Sequence, residues 1–183
     1  EESDALRAAK VTTKAAVHVR FMPRSGARVV AVGDKAGNVG LWNYSAFQEG
    51  EEEEDAERHG VRMLQPHSSY ISGLEWTQGG AKLVSCSYEG VVRTLDAETG
   101  VCVETFADEE TEYSAMTLGA DGSTIYCADK DGYLSAIDTR AGDYIFGGEE
   151  SALQIASGKV NTIDVERGEG HLLASSTSGK AKD

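Results

Sequence analysis

No stretch of the 183 residues approaches eighteen consecutive apolar residues, so no transmembrane helix is expected. The opening EESDALRAAK lacks the basic and apolar regions of a secretory signal peptide. A soluble intracellular protein is therefore expected, with an upstream signal left open. Cysteines are few: Cys86, Cys102 and Cys127 form no CxxC pair, and an odd count suits a reducing compartment with reduced, mostly buried thiols. Basic residues are scarce too, 17 Lys and Arg against 31 Asp and Glu, for a formal net charge of −14. Taken alone, that balance argues against a phosphate-rich partner. The average is skewed, however, because seven acids fall between Glu49 and Glu57 (EGEEEEDAE). Outside this block the chain is only modestly acidic.

Catalytic patterns are missing as well. There is no G-x-S-x-G and no H-E-x-x-H, and Gly33, Gly37 and Gly40 miss the dinucleotide spacing and precede a strand. Ser157-Gly158-Lys159 resembles the end of a phosphate loop, but Val160 replaces the required hydroxyl residue and Leu153 the first glycine. His18, His59, His67 and His171 show no metal-ligand spacing. No enzyme, catalytic residue, metal, cofactor or small-molecule substrate is expected, and no membrane partner. With no initiator methionine, and TSGKAKD following a turn signal with no strand after it, a fragment is expected.

What the chain has is a repeat, and 40% apolar residues with which to build a core. The stretch AVGDKAGNVGLWN (31–43) recurs as SCSYEGVVRTLD, CADKDGYLSAID and ASSTSGKAKD, with turn glycines Gly37, Gly90, Gly132 and Gly179. Apolar triplets precede the last three glycines at one register: Ile71, Leu74 and Trp76; Tyr113, Met116 and Leu118; Val160, Ile163 and Val165. The first copy is two residues longer and places Ala16, Val19 and Phe21 there. Each triplet predicts a first strand. The runs VVAV, LVSC, TIYC and HLLA predict buried central strands. Trp42, Leu95 and Ile137 each stand five residues after a turn glycine, before Asn43, Asp96 and Asp138, and end third strands. Second turns at Gly100 and Gly142 lead to VCVETF and DYIF as fourth strands.

Four short antiparallel strands in about 42 residues, ending on a W-D-like pair with a histidine upstream, resemble WD40 propeller blades. The resemblance implies an all-β fold, an incomplete fragment of about three and a half four-stranded blades of a ring that usually has seven. We divide the chain into a tail (1–10) and a partial propeller (11–183). Its blades fall at about 11–65, 66–107, 108–150 and 151–183, with an acidic insertion at 48–60. One blade cannot bury both faces of its sheet, so an exposed blade face and unpaired edges are expected. His67 and Ser87 match the family's buried polar network, whereas Glu89 and Leu95 depart from it. Stability is expected to come more from apolar stacking.

The lines AVGDKAGNVGLWN, GVRMLQPHSSYISGLEW and KLVSCSYEGVVRTLD, with the acidic insertion after the first, resemble one branch more closely. They are similar to WD-repeat DNA damage-binding proteins of the "changed mutation rate" type, to their animal counterparts and, more distantly, to the small subunit of the ultraviolet-damage-binding complex. This implies a nuclear scaffold, with a cytoplasmic pool allowed, that binds DNA or chromatin in the damage response. The alternative it implies is a protein-only adaptor or substrate receptor of a cullin-4 ubiquitin ligase.

The turns between second and third strands display Lys35, Tyr88 and Lys130, with His67 entering beside them. The lysines either contact phosphates, with Tyr88 packing on a sugar or base, or simply decorate exposed turns. His67 belongs either to that face or to the scaffold, capping Ser87. At the other end of the strands, Ile137-Asp138-Thr139-Arg140 resembles the W-D-x-R box that docks the ligase adaptor. Asp138 and Arg140 match it, Ile137 departs, and an ordinary turn arginine is the other reading. The acidic insertion reads as a solvated loop, a shield repelling DNA, or a dock for basic histones.

Overall fold

The computed structural model describes residues 9–24, 26–45, 60–166 and 171–176. The acidic insertion lies almost wholly outside them, as do the N-terminal tail as far as residue 8 and the Gly179 turn. Apolar and β-branched runs broken by glycine turns favour short strands over helices. The described residues are accordingly all-β apart from single helical turns at Gln78–Gly80 and Gly148–Ser151. The first sheet is β1 (Ala16–Phe21), β2 (Val29–Asp34), β3 (Val39–Asn43) and β4 (Val61–Leu64). The second is β5 (Ile71–Trp76), β6 (Lys82–Ser87), β7 (Val91–Asp96) and β8 (Cys102–Ala107). The third is β9 (Tyr113–Leu118), β10 (Thr124–Asp129), β11 (Tyr133–Asp138) and β12 (Asp143–Phe146), with β13 (Leu153–Gln154) alongside. β14 (Val160–Val165) and β15 (Leu172–Ser176) form a two-stranded sheet.

Each sheet is an antiparallel meander in chain order. The expected central runs occupy β2, β6 and β10, and β2 and β6 are almost wholly buried because both faces are covered. In the third sheet the outer edge is shared: β12 pairs with Ala136–Asp138, and β13 pairs with Tyr133 and Leu134.

The core lies between consecutive sheets. Ile71, Leu74 and Trp76 of β5 pack on Ala31, Val39 and Leu41 of the first sheet. Tyr113 and Met116 of β9 pack on Val84, Cys86, Val92 and Phe106 of the second. Val160 and Ile163 of β14 pack on Ala115, Ala128 and Leu134 of the third. Each first-strand triplet therefore faces the sheet before it. In β1 the same positions have no described sheet to face: Val19 is 51% and Phe21 70% exposed. With Val11, Val30, Val32, Trp42 and Tyr44 they line an apolar groove of about 330 Å³. Such stacking makes the chain part of a WD40 propeller, stabilised neighbour by neighbour. Of the thiols, Cys86 and Cys127 are buried and Cys102 is exposed.

Candidate functional site

The turns β2–β3, β6–β7 and β10–β11 lie at one end of the sheets, and the same construction positions each. The chain leaving one blade crosses the turn glycine of that blade before entering the next. His67, Asp108 and Ala156 donate their amides to the carbonyls of Gly37, Gly90 and Gly132 at 3.2, 2.9 and 3.1 Å. All three glycines have positive φ, and a Cβ on them would run into the carbonyl oxygens of those same crossing residues. Glycine is required here by backbone conformation and by close approach alike. Two residues before each of these glycines, the amides of Lys35, Tyr88 and Lys130 donate to the carbonyls of Ala15, Tyr70 and Glu112. Turns and entry loops thus form one continuous face.

Acid side chains fix two of the turns. Asp34 is fully buried and accepts from the amides of Ala36 (2.8 Å), Asn38 (3.0 Å) and Lys14 (3.2 Å) and from Asn38 Nδ2 (2.8 Å). Burial alone would raise its pKa, but these donors hold it below the usual value. Asp129 accepts from the amides of Asp131 and Tyr133. Lys35 is thereby held outward and exposed.

The second turn works through its histidine, and here the expectations need correction. His67 is 2% exposed, so its ring does not join the solvent face. It binds Ser85 Oγ through Nε2 (2.9 Å) and Glu89 through Nδ1 (2.6 Å), not Ser87. Glu89 also accepts from the Ser68 amide and hydroxyl and from Arg93, which reaches on to Glu104 and the Pro66 carbonyl. The polar network expected to be weakened is retained, with Glu89 in the acid's place. Burial lowers the His67 pKa against the opposing pull of Glu89. A neutral ring suits this setting, donating from Nδ1 to the carboxylate and accepting from Ser85.

Tyr88 stacks on Tyr70 with centroids 4.8 Å apart and planes 20° from parallel. Lys159 Nζ is 2.6 Å from the Tyr88 hydroxyl and 5.2 Å from its ring centroid. Lys159 was dismissed in the sequence as a failed phosphate loop, and Tyr70 carried no signal; the structure brings both to Tyr88. Lys130 is paired with Glu112 at 2.9 Å, and that carboxylate raises its pKa. Below this face, Tyr144 donates to Asp108 (2.5 Å) and meets the buried Tyr113 hydroxyl at 2.7 Å, tying the crossing loop to β9 and β12.

At the opposite end, the third strands close on Asx turns. Asn43 accepts from the Ser45 amide, Asp96 from Glu98 and Thr99, and Asp138 from Arg140 (2.9 Å). These bonds lower the Asp138 pKa. Arg140 folds its guanidinium toward the same carboxylate (3.3 Å) yet stays 77% exposed. Among the described residues no cluster of three His, Cys, Asp or Glu side chains is placed to hold a metal ion. No helix among them is long and apolar enough to cross a membrane.

No family profile matches the chain. It is 34% identical over 134 residues to the WD repeat-containing protein 76 of Xenopus laevis, covering 72% of this chain and 22% of that protein. It is 31% identical over 158 residues to the protein of the same name from Rhinolophus ferrumequinum, covering 85% and 23%. It is 26% identical over 179 residues to the DNA damage-binding protein CMR1 of Phaeosphaeria nodorum, covering 92% and 34%. The chain is a homologue of these WD-repeat proteins over most of its own length and spans about a fifth to a third of theirs.

Proposed function

We propose that this chain, as a homologue of WD-repeat proteins that include ones named for binding damaged DNA, is part of a nuclear, non-enzymatic scaffold that binds DNA or chromatin in the DNA damage response. The observation that carries the reading is the gathering of Lys35, Tyr88, Lys130 and Lys159 on one face of turns and entry loops. Among the described residues Lys35 and Lys159, like the exposed Lys14 of the first entry loop, have no carboxylate ion pair, so they are cations ready for phosphate. Lys130 must first leave Glu112. Such contacts position a protein on nucleic acid without reading its sequence.

The test is a titration of the full-length protein against a DNA duplex at several salt concentrations, beside a Lys35→Glu, Lys159→Glu variant. Each lost phosphate contact flattens the slope of log K against log salt by about 0.9. Weaker binding with a slope flatter by about two units is expected; unchanged binding contradicts the reading. The exposure of Arg140 at the opposite end supports a second role, docking a cullin-4 ligase adaptor. Arg140→Glu is then expected to lose adaptor capture and keep DNA binding, and retained capture counts against that role.

A further inference from the structure

The exposed charge on this face is mixed. Lys14, Lys35 and Lys159 are exposed on these turns and entry loops, and so are Glu109, Glu110 and Asp131. Glu89 and Glu112 are satisfied internally by His67, Ser68, Arg93 and Lys130. A face on which three exposed lysines, Lys14, Lys35 and Lys159, are matched by three solvent-facing acids is poorly suited to track both backbones of an intact duplex, where affinity rises with each neutralised phosphate. Its distinctive feature is aromatic. Tyr70 and Tyr88 are each half-buried, so the stack is fixed in place while part of each ring remains in solvent. Tyr88 sits on the β6–β7 turn and Tyr70 at the entry to β5, so both rings are carried by backbone tied into the second sheet. Lys159 comes from the entry to β14, on a flexible exposed stem, and ends within reach of the Tyr88 hydroxyl. Rings held by a scaffold beside one mobile cation are the parts that seat a base and its phosphate in single-strand recognition.

We infer that the Tyr70–Tyr88 stack with Lys159 is a seat for one unpaired base, so that DNA with a base free of its duplex partner is preferred over intact duplex. This rests on the DNA-binding reading above. The base stacks on the solvent side of the tyrosine pair, and Lys159 turns from the Tyr88 hydroxyl to the phosphate of that nucleotide. A base in a matched duplex reaches such a seat only after unpairing and unstacking, a cost that falls when it is already unpaired.

The experiment uses the full-length protein and three labelled probes of one sequence: a matched duplex, the same duplex with a central bulge of unpaired thymines, and a thymine single strand. Anisotropy titrations are run on the wild type and on Tyr88→Leu, Tyr88→Phe and Lys159→Gln variants. The bulged and single-stranded probes are expected to bind about tenfold tighter than the matched duplex. Tyr88→Leu is expected to weaken the bulged and single-stranded probes most and so to erase that preference, within the fivefold to 150-fold range of about one lost base stack. Tyr88→Phe keeps the ring and is expected to keep the preference. Lys159→Gln is expected to weaken all probes while retaining it. Equal wild-type affinity for matched and bulged probes overturns the inference and leaves the DNA-binding reading standing. Binding of no probe overturns both, as does capture of a lysine-rich peptide at Tyr88 in their place. The comparison among wild-type probes decides even if Tyr88→Leu fails to fold.

Discussion

At the scale of single residues, His67 couples the candidate face to the stability of the blade beneath it. Its ring is buried between Ser85 and Glu89, and its pKa is lowered, chiefly by burial. The unfolded ring takes up a proton near its ordinary value of 6.5 while the folded ring resists, so protons favour the unfolded chain. The contribution is intact above pH 6.5 and is lost as pH falls through that value toward the lowered folded one. His18, lowered by burial and by Arg20, acts in the same direction. Urea unfolding at pH 7.5 and 5.5 is expected to show a larger loss on acidification for the wild type than for His67→Gln. At pH 7.5 the variant is expected to be less stable by about 1–3 kcal/mol, because Ser85 and Glu89 lose a buried partner. An equal acid loss in both proteins contradicts the assignment. The sequence paired His67 with Ser87, whereas the ring reaches Ser85. Two residues apart on β6 they share a face, and only the depth of the incoming loop separates them.

At the scale of elements, the turn glycines carry the architecture, because each one lets the exit loop of its blade cross over it. Gly90 has φ +76°, and a Cβ there would meet the Asp108 carbonyl; Gly122 has φ +69° with open space around it. Gly122→Ala therefore pays for left-handed backbone alone, about 1 kcal/mol, whereas Gly90→Ala adds a backbone collision and is expected to cost at least twice that. Equilibrium unfolding of the two variants measures the difference, and equal costs contradict the crossing geometry. This layer was the most legible in the sequence. The spacing of Gly37, Gly90 and Gly132 located the hairpins, and the triplets before Gly90 and Gly132 fell on β5 and β9, because a meander converts sequence period directly into strand period. β13 was missed: two residues completing an edge opened where β12 leaves β11 have no periodicity of their own.

At the scale of the whole molecule, stacking of sheets decides which side chains meet. Lys159 lies 71 residues from Tyr88 and reaches it because the entry loops of later blades converge on the same face as the second blade's turn. No local pattern encodes such a meeting, which is why the candidate face was only half legible while its turns were plain. The same geometry places Arg140 at the far end of β11, away from Lys35, Tyr88 and Lys159, so the two ends can be addressed separately. The most direct measurement is therefore positional: the full-length protein is crosslinked to DNA bearing photoreactive thymines in matched and bulged contexts, and the attached peptides are mapped by mass spectrometry. Crosslinks at residues 34–38, 70, 88–90 and 157–159, strongest with the bulged probe, are the predicted result. Crosslinks confined to the turns at 43–45, 96–100 and 138–142, or to neither end, would contradict it.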